Sequence, residues 1–161
     1  MANTTFQGPV RSENGFKTIV KSASTGALTN EMTFSQYTAT VTVANGATTG
    51  KESSIGIPSN FIPMGVTIAV TTAATNSVTL TDIGTDADTD GFVDGISPAI
   101  NSTGFKGFFP CNGVLGMSGG ATTASTATAD EVEVVVSGDP GASGVTMVLK
   151  FIGISSSSDA S

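Results

Sequence analysis

Between Tyr37 and Val43 every second residue is apolar. Tyr37, Ala39, Val41 and Val43 alternate with Thr38, Thr40 and Thr42, a period of two that puts the two sets on opposite faces of an extended chain. A helix would scatter these residues around its circumference, and β-branched threonine and valine favour strands in any case. Asn45-Gly46 follows with the chemistry of a tight turn. The alternation returns in Val66, Ile68 and Val70, and again in Val132, Val134 and Val136. In the last of these Glu131 and Glu133 take the other face, where they read as solvated, and Asp139-Pro140-Gly141 supplies the next turn.

Other segments fill in a chain of short strands. Phe16 to Lys21, Glu52 to Ile57 (stopped by Pro58) and Ser77 to Ile83 have strand composition. Leu28 to Gln36 is ambiguous, with a helical turn as one reading that Thr and Asn weaken. Ile96 to Cys111, broken by Pro98, Gly104, Gly107 and Pro110, reads as irregular, and residues 116–129 as a low-complexity loop. The final strand, Gly144 to Ile154, is apolar on both faces: Val145, Met147, Leu149 and Phe151 on one, Val148, Ile152 and Ile154 on the other. Such a strand belongs at the centre of a sheet or beneath a partner. Seven or eight short strands without a convincing helix predict an all-β chain, a single antiparallel β-sandwich or jelly-roll-like domain. The expected boundaries are an extended N-terminal arm over 1–15, the sandwich over 16–154 and a flexible tail over 155–161.

Composition narrows the chemistry. The 161 residues include no His, no Trp and one Cys. Histidine is the one side chain that titrates near neutrality unperturbed, so the Ser-His-Asp and Cys-His arrangements have no base here. Six Lys and Arg against thirteen Asp and Glu leave a net charge of -7, which a phosphate backbone would repel, so no nucleic-acid partner is expected. No apolar run approaches the ~20 residues of a membrane span, and the first residues lack the pattern of a signal peptide. These features predict a soluble, non-enzymatic protein made in a cytoplasm.

Three motifs stand out. Asp86-Ala-Asp88-Thr-Asp90-Gly91-Phe92-Val-Asp94 puts carboxylates at positions 1, 3, 5 and 9 around a glycine at position 6, the spacing of a calcium loop. Position 12 is Ser97, where an EF-hand carries Glu. Asp86, Asp88, Asp90 and Asp94 are therefore candidate Ca2+ ligands or an acidic surface turn, and Ca2+ is the one cofactor the sequence suggests. Gly104-Phe105-Lys106-Gly107-Phe108-Phe109-Pro110 is either an aromatic docking patch or a core plug beneath a loop, the commoner arrangement. Cys111 reads as a small buried hydrophobe.

Three stretches carry a family resemblance. Asn3-Thr-Thr-Phe6-Gln-Gly8-Pro9-Val10-Arg11-Ser12-Glu13-Asn14-Gly15-Phe16, the block Ile83–Ile96 followed by Asn101–Gly113, and the terminal Val-Leu-Lys-Phe-Ile-Gly-Ile strand resemble small capsid decoration (cement) or other head-associated virion proteins of marine tailed phages, those of cyanobacteria especially. The resemblance implies a protein on the outer surface of a phage head that bridges capsomers, with the major capsid protein and its own copies, as a homotrimer, for partners. Phe6, Pro9, Val10 and Arg11 would then make the capsid or subunit contact, an extended arm being suited to strand addition. Val148 and Ile152, on the second face of the last strand, would form the oligomer interface. The competing reading is a host-glycan-binding module or a fibre tip, although one Tyr and no Trp is a poor supply of rings for stacking on sugars.

Overall fold

The computed structural model describes residues 16–21, 24–25, 28–52, 61–116 and 131–156. They form eight strands, with no helix among the described residues. The strands are β1 (Phe16–Lys21), β2 (Leu28–Val43), β3 (Thr49–Lys51), β4 (Phe61–Thr72), β5 (Leu80–Thr85), β6 (Gly104–Pro110), β7 (Val132–Val136) and β8 (Val145–Ser156). Every pairing is antiparallel. Five strands lie in the order β1-β2-β8-β4-β6, and three in the order β3-β7-β5. The chain is all-β, as the alternation predicts.

The two sheets share one apolar core. Ala39, Val41 and Val43 of β2, Val66 and Ile68 of β4, and Met147, Leu149 and Phe151 of β8 belong to the same buried cluster as Leu80 and Ile83 of β5 and Val132 and Val134 of β7. Phe92 joins them, its ring edge-on to Phe151 at 5.5 Å between centroids, a favourable aromatic geometry. The apolar phase of β2, β4, β5, β7 and β8 therefore faces the shared core, and each such contact withdraws surface from water at ~25 cal/mol per Å².

Strand β8 is central, between β2 and β4, as its two apolar faces require. Three readings of the sequence are corrected. Leu28 to Gln36 is no helical turn: it extends the alternating run into a single 16-residue strand, whose ladder with β1 holds it extended. The stretch from Ile96 to Cys111 is not irregular throughout, because β6 occupies Gly104–Pro110. It tolerates its glycines as a sheet edge with a register shift opposite Ile68/Ala69, and Gly107, at φ 134, takes a backbone conformation that side chains rarely adopt. Finally, strand structure precedes Glu52 in β3, and Glu52 itself makes an isolated bridge with Val41. Residues 53–60 lie outside the described residues, as do 1–15, where an arm is predicted, 117–130, which hold all but the first residue of the predicted loop 116–129, and 157–161.

Candidate functional site

The register of the five-stranded sheet sorts its residues into two faces. Tyr37, Ala39 and Val41 lie opposite Phe151, Leu149 and Met147, and these in turn opposite Val66, Ile68 and Val70. That face is the core. On the other face the rows run Gln36–Ile152–Gly65, Thr38–Lys150–Thr67 and Thr40–Val148–Ala69. Threonines at the ends of these rows bond across strands, Thr42 with Thr146 at 3.1 Å between hydroxyls, and Thr71 donating to the Thr146 carbonyl at 3.2 Å. At the strip's far edge β6 continues the rows, with Phe108 opposite Thr67 and Phe105 opposite Ala69.

This face is unusual for its exposed apolar groups. Among the described residues six large apolar side chains are exposed. Five belong to this sheet: Phe34, Phe105, Phe108 and Ile152 in its outward phase, and Met64 at the bulge between Pro63 and Gly65. Phe105 is 70% exposed and Phe108 53%, so the core-plug reading fails for both, while Phe109, in the opposite phase, packs against the core. The Phe108 ring lies across Gly65, where any Cβ would collide with it. A glycine on the central part of the face thus gives an edge-strand aromatic a seat, and the patch becomes continuous from β8 to β6.

The predicted oligomer residues fall here. Ile152 is exposed and Val148 half-buried, both in the outward phase of β8. The stretches 34–42, 62–71, 104–110 and 146–154 contain no Asp or Glu, and their charges are Lys106 and Lys150 alone.

The carboxylates gather elsewhere. On the three-stranded sheet Lys51 pairs with Asp86 and lies 3.8 Å from Glu133. Glu133 is buried, not solvated as its phase suggests, because Lys51 stands opposite it in the ladder. Glu52 is buried too, and accepts a 2.5 Å hydrogen bond from the Tyr37 hydroxyl. Burial first, then nearby Glu131, raise its pKa against the lowering pull of the hydrogen bonds from Tyr37 and the Thr40 backbone. Burial, followed by the bond to Glu52, also raises the Tyr37 pKa, so the phenol stays a donor. This pair ties β2 to the segment after β3.

The Asp motif does not assemble as a ligand set. Among the described residues no three His, Cys, Asp or Glu side chains are placed to hold a metal ion. Asp86 is engaged by Lys51. The Asp88 carbonyl closes a turn by accepting from the Thr85 amide at 2.8 Å, and its carboxyl, hydrogen-bonded to Asp90, has a raised pKa. Asp94 is clamped through its backbone, its amide donating to Asn112 Oδ1 at 2.8 Å and its carbonyl accepting from Asn112 Nδ2 at 2.9 Å. The cause lies in Phe92 and Val93, both buried: they pull the loop's middle back onto Ile83, whose amide and carbonyl each bond Val93 at 2.9 Å. A calcium loop turns its backbone around the cation, whereas this one turns its apolar residues into the core. Gly84 is needed beneath it, since a side chain there would meet the Asp88 carbonyl.

Cys111 is fully buried, and burial pushes its thiol up to about 12, far from a reactive thiolate. Phe6, Pro9, Val10 and Arg11 lie outside the described residues. The outer face was only partly legible in advance: the two-faced β8 pointed to it, but the contribution of Phe34, Phe105 and Phe108 depended on which strands flank β8. No protein family, curated protein or solved structure matches this chain.

Proposed function

We propose that the protein is a non-enzymatic structural component of a virion, a decoration protein that stabilises the outer surface of a tailed-phage capsid by bridging capsomers, with the major capsid protein and its own copies, as a homotrimer, for partners. The observation that carries this reading is the outer face of the five-stranded sheet. Apolar groups concentrated on one face of an otherwise acidic protein suit protein–protein contact. Their placement on a paired sheet fixes them in register as one continuous surface, which suits a part that must resist outward pressure more than one that must close on a small substrate. Many copies, each held weakly, would add through avidity. The arm residues Phe6, Pro9, Val10 and Arg11 would add a strand to a capsid sheet edge. The sequence resemblance to head-associated proteins favours this class over a glycan-binding module, and the exposed rings are Phe, without the polar edge that Tyr or Trp brings to sugars.

The test is reconstitution with phage heads bearing no decoration protein. Sedimentation of heads mixed with the purified chain should show saturable binding at near capsomer stoichiometry. Removal of residues 1–15 should weaken that binding while circular dichroism stays unchanged. Failure to bind heads, together with saturable binding to a host polysaccharide, would replace the decoration reading with the glycan one.

A further inference from the structure

From the outer face of the five-stranded sheet we infer that it is a self-association surface, covered in solution by a second copy of this chain. The inference rests on the functional reading above only in naming one of its partners, and it stands on two observations of its own.

The first is area. The strip from Phe34 to Thr42 runs nine residues, and four strands, β2, β8, β4 and β6, lie side by side. At about 3.3 Å per residue and about 4.8 Å per strand the face measures roughly 30 by 20 Å, or about 600 Å² in projection before side-chain relief is added. Stable interfaces bury about 600–1,000 Å² per partner, so this one face reaches the lower end of that range. Its apolar groups are spread from Phe34 and Ile152 to Phe105, and Phe108 over Gly65 closes the gap between β8 and the edge.

The second is charge. A chain of net charge -7 repels its copies. The strip formed by residues 34–42, 62–71, 104–110 and 146–154 carries no carboxylate and two lysines, while Asp86, Glu133 and the rest of the Asp loop belong to the other sheet and its connections. Two copies that meet here keep their negative charge turned away from the contact.

Analytical ultracentrifugation of the full chain at micromolar concentration tests this, with circular dichroism as the check on folding. The wild type should sediment as an oligomer. Ile152→Asp and Phe105→Ser should each weaken association at least about tenfold, because each removes an apolar contact and the first also places a charge in it. Val114→Asp should not, since Val114 is exposed but lies in the loop after β6. Phe105→Ser is the safeguard should Ile152→Asp fail to fold, its side chain being the more exposed. A wild-type monomer, or an oligomer indifferent to both face variants, overturns the inference. A monomer that still saturates heads leaves the decoration reading standing, and an oligomer that ignores heads leaves this inference standing without it.

Discussion

The outer faces of the two sheets differ as sharply as surface and core. On the three-stranded sheet the outward row is Lys51, Glu133 and Gly84, with Asp86 closing an ion pair at its edge. On the five-stranded sheet it is Thr, Val, Ile and Phe with Lys150 among them. Both are built from alternating strands over one shared core, so the inward residues do not account for the difference. The outward residues do: one layer carries charged groups that pair with one another, Lys51 with Asp86 and Glu133, and the other carries threonines and rings with no such partners to satisfy. Most of the carboxylates among the described residues lie on the three-stranded sheet and its connections.

The most direct way to break the comparison is to substitute adjacent residues of β8. Phe151 is fully buried and touches both Tyr37 and Phe92 rings, so Phe151→Ala should cost about 3–5 kcal/mol in urea unfolding. Ile152→Ala, one residue on, should cost under about 1 kcal/mol when measured on the monomer. Similar losses at both positions would mean that the outward phase is packed as tightly as the inward one.

A smaller effect is expected at Glu52. Glu52→Ala removes the acceptor of the Tyr37 hydroxyl and should cost about 1–3 kcal/mol. The pH dependence sharpens this. Burial raises the folded-state pKa of Glu52, so its ionisation opposes folding. Its contribution is fully present below the unfolded value of 4.5 and is lost as pH rises through the folded pKa. Glu52→Gln keeps an acceptor for Tyr37 and should flatten that decline. A melting-temperature profile just as steep in the variant would assign the decline elsewhere.

The smallest effect, opposite in sign, belongs to Asp139. Its Oδ1 accepts 2.8 Å hydrogen bonds from the Gly141 and Gly46 amides, which lower its pKa. What it contributes is present above 3.8 and is lost as pH falls through the folded value. Asp139→Asn should therefore flatten only the acid side of the same profile. An unchanged acid limb would show that this turn holds its shape without the carboxylate.

The alternation of Tyr37–Val43, Val66–Val70 and Val132–Val136 was enough to establish an all-β chain, because a period of two states its buried face without reference to anything distant. The two apolar faces of β8 likewise announced a central strand. Cys111 was readable as buried from its residue type. Leu28–Gln36 was not readable as strand, since its polar residues carry no contrast between faces; pairing with β1 supplies what propensity lacks. Nor was β6, whose glycines and proline look like a loop until β4 lies alongside. The Asp motif left two readings open for a related reason: spacing describes where carboxylates fall along the chain, but the burial of Phe92 against Phe151 governs which way the loop turns. Which face of β8 would be left to water was likewise a matter of assembly. Val148 and Met147 are nearly equal as hydrophobes, and their fates diverge because Val148 shares its row with Thr40 and Ala69, and Met147 its row with Val41 and Val70. Those rows join residues about a hundred positions apart, and no local pattern can encode a neighbour that arrives only when the sheet closes.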